Sequence, residues 1–286
     1  KNIKKEGAFM STATKAVGEV RHLDHFVLPA MDPDRAEKFY TEVLGGRVVT
    51  KHSDPTVTRI FMKVGQNHIG LFSQGKATIP KRESVNDYPR CAFVVPGDEF
   101  DKTAAKIQSM SSLVRQIAKE TNSGCDLQQG LVFADSEGNL VEVFKGEQEK
   151  TTRVHHLHFD TLNLEESIRF YTGILNLTLV RRTNGTAVIE IPANQTVVLH
   201  QVKELSEVTK TTYRGRHFAF HVTDDNFHAI VNKLHQAGVE ERDEHGEREG
   251  RRPGQLGTYF KDPSGFRLQI TNEDSATFAQ HASRRG

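Results

Sequence analysis

The sequence predicts an α+β protein made of four βαβββ modules, which pair into two cupped domains that each contain a mixed sheet. Two internal repeats lead to this prediction. The first repeats a strand and a helix at a spacing of 131 residues, the distance from His25 to His156. The second repeats a strand and a tight turn at a spacing of 127 residues, the distance from Asp135 to Asp262.

Each module has local signals for its elements. Residues 217–222 alternate between phenylalanine or valine and smaller or polar residues, as in a half-buried strand. Helices are predicted over 32–44 and 163–175, because Asp and Asn are good N-cap residues and apolar residues follow at helical spacing. The Asp-Pro-Ser-Gly stretch at 262–265 predicts a tight turn between the last two strands.

The modules are predicted at about 22–74, 88–147, 153–203 and 214–272. One module has too few strands to bury both faces of its sheet, so two modules must combine around a hollow with the helices outside. The polar stretch 146–152 is the predicted linker. The expected organisation is a leader at 1–9, an N-terminal domain at 20–148, and a C-terminal domain at 153–275 that contains the active site.

Composition excludes several classes of function. The net charge of +1 gives no electrostatic reason to expect binding to nucleic acid or to an anionic membrane. No apolar run approaches the roughly 20 residues that span a bilayer. Cys91 and Cys125 are the only cysteines, which does not suggest a disulfide framework, so we expect a cytoplasmic protein.

Strand alternation predicts which histidines face the hollow. In 217–222 the phenylalanines face the helices, so His217 and His221 face inward. The same alternation turns His156 and His158 inward.

The repeat units carry a family resemblance. Asp32 follows His25 by seven residues and Phe39 follows it by fourteen, with the same spacing in the second copy, and a Tyr-x-x-Asp-Pro-x-Gly pattern runs from Tyr259 to Gly265. In these residues the chain resembles the vicinal oxygen chelate superfamily, which includes glyoxalase I, fosfomycin and bleomycin resistance proteins, and type I extradiol dioxygenases. Four modules in one chain resemble most the two-domain extradiol dioxygenases.

The resemblance implies a metal site. Its ligand positions correspond to His156, His217 and Gln269, and Tyr259 corresponds to an active-site tyrosine that donates a proton or a hydrogen bond. The family has a carboxylate at the third position, where it completes a facial triad for iron(II). The neutral amide of Gln269 is a weaker ligand, so metal affinity is expected to fall.

The pairing of modules has an alternative. If modules 1 and 4 pair, as in hydroquinone-cleaving relatives, His25 replaces His156 as the first ligand and Arg252 lies near the substrate. The pairing of modules 1 and 2 would also bring His25 together with Arg90 and Glu142, but a guanidinium cannot bind a cation. The sequence leaves the pairing open.

The resulting functional prediction is a metal-dependent, extradiol-type dioxygenase that cleaves a catechol- or hydroquinone-like aromatic. Tyr259 and His200 are the catalytic candidates, and His158, His221 and Arg252 are the substrate-binding candidates. Fe(II) is the expected metal, with Mn(II), Ni(II) or Zn(II) as alternatives, and the partners are a small aromatic substrate, dioxygen and a second copy of the chain. The rival predictions are a glyoxalase-like lyase or isomerase, and a metal-free protein that sequesters a small molecule.

Overall fold

The computed structural model describes residues 19–117, 127, 129–242 and 254–278 of the chain. Within them the protein forms two mixed eight-stranded sheets with a few helices. The predicted α+β class and the division into four strand–helix–strand modules are confirmed. The predicted leader at 1–9 lies outside the described residues.

Modules 1 and 3 have the same element order. Module 1 contains β1 (Val20–Ala30), α1 (Pro33–Leu44), β2 (Arg47–Ser53), β3 (Thr58–Val64) and β4 (Asn67–Ser73). The side chain of Asp32 caps α1 by accepting a hydrogen bond from the backbone N–H of Arg35. Module 3 contains β9 (Arg153–Thr161), α3 (Leu164–Gly173), β10 (Thr178–Thr183), β11 (Thr186–Ile191) and β12 (Gln195–Gln201). Asn163 caps α3 in the same way, so both helix starts agree with the sequence prediction.

Modules 2 and 4 share the predicted tight turn. Module 2 contains β5 (Arg90–Pro96), α2 (Phe100–Met110), β6 (Val114–Ile117), β7 (Gly130–Ala134) and β8 (Leu140–Gly146). The short helix α4 (Glu207–Lys210) precedes module 4, which contains β13 (His217–Val222), α5 (Asp224–Gln236), β14 (Glu241–Arg242), β15 (Gly257–Lys261) and β16 (Arg267–Thr271). In the turn between the last two strands, the Asp262 carboxylate accepts hydrogen bonds from the backbone N–H groups of Ser264 and Phe266, and Gly265 takes a positive φ of 89°.

Modules 1 and 2 do not share a sheet, and neither do modules 3 and 4. Sheet A has the order β14-β15-β16-β13-β1-β4-β3-β2 and therefore joins module 4 to module 1. Sheet B has the order β10-β11-β12-β9-β5-β8-β7-β6 and joins module 3 to module 2. The two sheets thus follow the alternative pairing, and the division into 20–148 and 153–275 does not describe which strands are hydrogen-bonded.

Modules 1 and 2, like modules 3 and 4, are instead connected by a hydrogen bond from a helix to a turn. The hydroxyl of Tyr40 in α1 donates a hydrogen bond of 2.8 Å to Asp135 in the turn of module 2. The second half of the chain repeats this contact. The hydroxyl of Tyr171 in α3 donates a hydrogen bond of 2.9 Å to Asp262 in the turn of module 4. Each tyrosine is fully buried in a core that both sheets share, and each carboxylate gains a partner there. None of the helices in the described part of the chain is long and apolar enough to cross a membrane.

Candidate metal centre

Two histidines meet on the face of sheet A opposite the core phenylalanines. His25 lies in β1 and His217 in the neighbouring antiparallel strand β13, where Val27 is the register partner of His217. The alternation of the strands turns Phe218 and Phe220 into the core, as predicted, and leaves His217 on the opposite face. The Nε2 atoms of His25 and His217 lie 3.1 Å apart.

The tautomer of each ring follows from its other nitrogen. The Nδ1 atom of His25 lies 2.8 Å from the Asp24 carboxylate, and Nδ1 of His217 lies 2.6 Å from the carbonyl oxygen of Gly215. Both partners only accept hydrogen bonds, so both Nδ1 atoms must carry a proton, and each ring presents a lone pair at Nε2 when it is neutral. Burial, followed by repulsion from His25, holds the pKa of His217 well below its ordinary value, although the hydrogen bond to the Gly215 carbonyl opposes the shift. Two lone pairs therefore converge on one point, which suits a shared cation.

Gln269 supplies an oxygen beside the imidazole pair. It lies in β16, whose register with β13 places it opposite Ala219 on the same face as His217. Its Oε1 atom is buried and has no hydrogen-bond partner of good geometry among the described residues. Two imidazole nitrogens and one amide oxygen fit a divalent metal that accepts nitrogen ligands, and the carboxylate of Asp24 behind His25 is a typical outer partner.

Tyr259 borders the same group. It is the direct cross-strand partner of Gln269 in the β15–β16 hairpin, which explains the ten-residue spacing between them. Its ring meets the His217 ring edge to face, with centroids 5.1 Å apart. The guanidinium of Arg267 lies over the Tyr259 ring, 4.8 Å from its centroid.

These side chains line a cavity of about 160 Å³. Its apolar wall consists of Phe61, Phe72 and Phe278, and its polar wall also contains His68, Gln255, Thr271 and Glu273. The sequence reasoning missed His68, whose two ring nitrogens are buried without a hydrogen-bond partner among the described residues. Burial is the main cause that lowers the pKa of His68 to about 4. The signal for His68 was its place in the last strand of module 1. His68 becomes the register partner of His25 only when β4 pairs with β1.

Sheet B holds a different polar cluster. The Glu142 carboxylate lies 2.5 Å from Nη1 of Arg90, 3.1 Å from Nε2 of His156 and 3.3 Å from Nε2 of His158. Glu142, His156 and His158 could in principle surround a cation, since one ligand atom from each lies within 4.8 Å of the others. However, the permanent charge of Arg90 already balances that of Glu142, and both carboxylate oxygens have partners. Glu142 therefore already forms a buried ion pair with Arg90 in this cluster.

The predicted ligand set therefore needs a correction. His156 lies in sheet B, whereas His217 and Gln269 lie in sheet A, so His156 does not join them. The physical reason is the pairing of β1, and not β9, with β13. The alternative first ligand, His25, is the one that meets His217.

Two further candidates also lie in sheet B. The Nδ1 atom of His158 lies 2.8 Å from Nε2 of His200, and the His200 ring stacks on Tyr88 with centroids 4.3 Å apart. Neither is among the described residues that line the cavity beside His217.

His221 is not among the described residues that line this cavity. His221 lies on β13 but stacks on His22 with centroids 4.9 Å apart, and its Nε2 atom donates to the carbonyl of Asn272. Arg252 lies outside the described residues.

Comparisons with known proteins agree with this architecture. The model of the family described as "Glyoxalase/Bleomycin resistance protein/Dioxygenase superfamily" matches residues 22–143 and 153–270. The metallothiol transferase FosB of Lysinibacillus sphaericus (strain C3-41) is 27% identical over 122 residues, which are 41% of this chain and 79% of the relative.

Two solved structures resemble most of the chain. A protein named "putative dioxygenase" from Bacillus subtilis subsp. subtilis str. 168 has a TM-score of 0.70 at 14% identity, covering 93% of this chain and 89% of its own. Glyoxalase I from Zea mays has a TM-score of 0.60 at 19% identity, covering 92% and 95%. At these identities the likeness concerns the fold.

Proposed function

We propose that this chain, which belongs to the glyoxalase/bleomycin resistance protein/dioxygenase superfamily, is a metal-dependent enzyme. The proposed metal centre lies on sheet A. His25, His217 and Gln269 would hold the metal, for which Fe(II) is the first candidate and Mn(II), Ni(II) or Zn(II) are alternatives. The reaction proposed is extradiol-type ring cleavage of a catechol- or hydroquinone-like aromatic.

The observation that carries the proposal is the convergence of two imidazole lone pairs. The Nε2 atoms of His25 and His217 lie 3.1 Å apart, and both Nδ1 atoms are committed to acceptors. Without a cation or a proton between them the lone pairs repel, and burial disfavours a proton on His217. A bound metal would supply Lewis acidity, which lowers the pKa of a coordinating hydroxyl, and a site for dioxygen.

The cavity favours a single aromatic ring. Its volume is about 160 Å³ and three phenylalanines, Phe61, Phe72 and Phe278, form one wall. An apolar cavity of about 150 Å³ is known to accommodate benzene. Aromatic side chains can pack against the ring and exclude water, while the polar wall faces the hydroxyl groups of a diol.

Two side chains of the cavity wall would donate or accept hydrogen bonds and protons during the reaction. Tyr259 borders the His217 ring and can donate a hydrogen bond to a substrate oxygen in the cavity. His68 has two buried ring nitrogens that face the cavity without partners, and it can accept a hydrogen bond from a substrate hydroxyl. We assign Tyr259 as the donor and His68 as the acceptor.

A second candidate function is a metal-dependent lyase or isomerase. The observation that favours it is the carboxylate of Glu273, which lines the same cavity and accepts a hydrogen bond of 2.6 Å from Gln255. Such chemistry needs a base that moves a proton between carbon atoms, and a carboxylate can serve. It needs no dioxygen.

The experiment is metal analysis of purified protein combined with oxygen uptake. Protein reconstituted anaerobically with Fe(II) is mixed with catechol or hydroquinone, and oxygen consumption and ring-cleavage products are followed. Stoichiometric iron with oxygen uptake supports the dioxygenase. Tight nickel or zinc without oxygen uptake favours the lyase or isomerase. Failure of every one of these metals to bind overturns both proposals and leaves a metal-free binding protein.

A further inference from the structure

A second and larger cavity lies on the other side of Tyr259. Its volume is about 520 Å³, and Tyr259 belongs to the walls of both cavities. The wall is rich in cations, and Glu240 is the one acidic side chain among its described lining residues. The basic lining residues are Lys210, Arg216, Arg242, Lys261 and Arg267.

Some of these charges are compensated by neighbours. Lys210 lies 2.7 Å from Glu204, and Arg242 lies 2.5 Å from Glu240. By contrast, neither Arg216 nor Lys261 has a carboxylate within ion-pairing distance among the described residues. The wall of the cavity therefore keeps a net positive charge.

Arg216 is the buried member of the group, with 7% of its surface exposed. Its guanidinium donates to the carbonyl oxygens of Val208 and Thr211 and lies 5.0 Å from the centre of the Tyr213 ring. Burial is the main cause that lowers its pKa to about 10, so it stays charged at neutral pH. The carbonyl dipoles hold this cation without neutralising its charge. An anion that enters the cavity would neutralise it.

The basic cavity lies along the same face of sheet A as the proposed metal centre. Arg267 and Gln269 are two residues apart on β16 and point to the same side of the sheet. Lys261 is the cross-strand partner of Arg267, as Tyr259 is of Gln269. Two residues of a strand span about 7 Å, so the cationic pair begins about that far from the Gln269 ligand position.

We propose that the substrate carries an anionic substituent, a carboxylate or a phosphate, and that the basic cavity binds it while the aromatic ring occupies the smaller cavity. The inference rests on the proposed function, because it assigns the ring to the site beside His25 and His217. The carboxylate or phosphate would be a short chain away from the ring, on the side of Tyr259. Arg267 and Lys261 would bind it first, and the charge of Arg216 would favour its burial.

The test compares two probes that differ only in charge. The metal-free protein is titrated calorimetrically with 3,4-dihydroxyphenylacetate and with the matching neutral amide, at low and high salt. We expect the carboxylate to bind about tenfold more tightly or better at low salt, since hydrogen bonds between charged groups contribute that much. Equal affinity for the two probes overturns the inference.

Substitutions in the cavity wall test where the preference for the carboxylate probe arises. Lys261→Gln removes an exposed cation from the cavity wall and is expected to abolish most of the preference, with Arg267→Gln as a second variant. Lys102→Gln, which removes an exposed cation from α2, is the matched control and should keep the preference. A preference that survives both cavity variants would place the anion elsewhere and overturn the assignment.

A parallel assay separates the two proposals. Oxygen uptake is measured with the Fe(II)-loaded protein and both probes. Absence of uptake together with a retained charge preference contradicts the dioxygenase but not the anion site. Uptake with equal KM for both probes contradicts the anion site but not the dioxygenase.

Discussion

The Nε2 atoms of His25 and His217 lie 3.1 Å apart, although the two residues are 192 positions apart in the sequence. Their Nδ1 atoms are held by Asp24 and by the carbonyl of Gly215, so the two Nε2 atoms, when neutral, present lone pairs to the same point. This arrangement separates sheet A, with its convergent lone pairs, from sheet B, where Arg90 already balances Glu142.

His25→Gln is expected to lower the affinity for Fe(II) by at least about tenfold, because it removes one of the two imidazole ligands. His156→Gln is the matched variant in sheet B and should leave the iron content unchanged. The measurement is metal content after anaerobic reconstitution, with thermal unfolding to confirm that both variants fold. Iron loss in His156→Gln alone would move the centre to sheet B.

Gln269→Glu is expected to bind Fe(II) more tightly than the wild-type protein. The variant completes a set of two histidines and one carboxylate, and it adds a negative charge where Gln269 Oε1 now has no hydrogen-bond partner among the described residues. Competition with a chelator gives the two dissociation constants. Equal and negligible iron binding in both proteins would count against a metal centre on this face.

Tyr259→Phe is expected to lower kcat by about a hundredfold, a usual effect of losing a proton donor, without change in iron content. Tyr88→Phe, which alters the tyrosine stacked on His200 in sheet B, is the control and should retain activity. The measurement is oxygen uptake at saturating diol. Unchanged kcat in Tyr259→Phe would remove the tyrosine from the mechanism.

Tyr171→Phe is expected to reduce the free energy of unfolding by about 1–3 kcal/mol, because it leaves the buried Asp262 carboxyl with one donor fewer. Tyr40→Phe should have a similar effect through Asp135. Tyr213→Phe is the control, since the hydroxyl of Tyr213 contacts Thr211 and, at 3.5 Å, the carbonyl of Thr78 rather than a buried carboxyl. Urea unfolding measures all three, and equal stability of wild type and Tyr171→Phe would contradict the role given to this bond.

Acid is expected to destabilise the protein partly through His200. Burial, with repulsion from His158 and Arg90, lowers its pKa in the folded protein from 6.5 to about 2. Between these values the unfolded chain binds a proton that the folded protein does not, so stability falls as pH falls below 6.5.

His200→Gln removes this contribution. Its stability should decline less steeply with acid than that of the wild type, by up to about 1.4 kcal/mol per pH unit. The comparison is urea unfolding at pH 7, 6 and 5 for both proteins. Parallel slopes would show that His200 is protonated in the folded state.

Local features of this protein could be predicted from the sequence. The caps at Asp32 and Asn163 and the turn at Asp262 depend on residues close together in the chain, and the structure confirms them. The pairing of Tyr259 with Gln269 is also local, since it follows from a hairpin centred on that turn. Strand alternation correctly separated the core phenylalanines of β13 from His217.

The partner of each module was decided only by the tertiary structure. The first strands of all four modules have similar alternating patterns, so the pattern selects the face that a side chain occupies but not the strand beside it. That choice put His25 beside His217 and placed His156 in the other sheet. It also brought His68 into the cavity, through the pairing of β4 with β1.

The sequence by itself therefore determined the modules, their turns and the inward face of each strand. The tertiary structure determined which inward faces share a hollow. The physical reason is that strand pairing between modules depends on the packing of a core common to both sheets, in which Phe159 of one sheet contacts Phe218 of the other. Such contacts join residues far apart in the chain, and no local pattern specifies them.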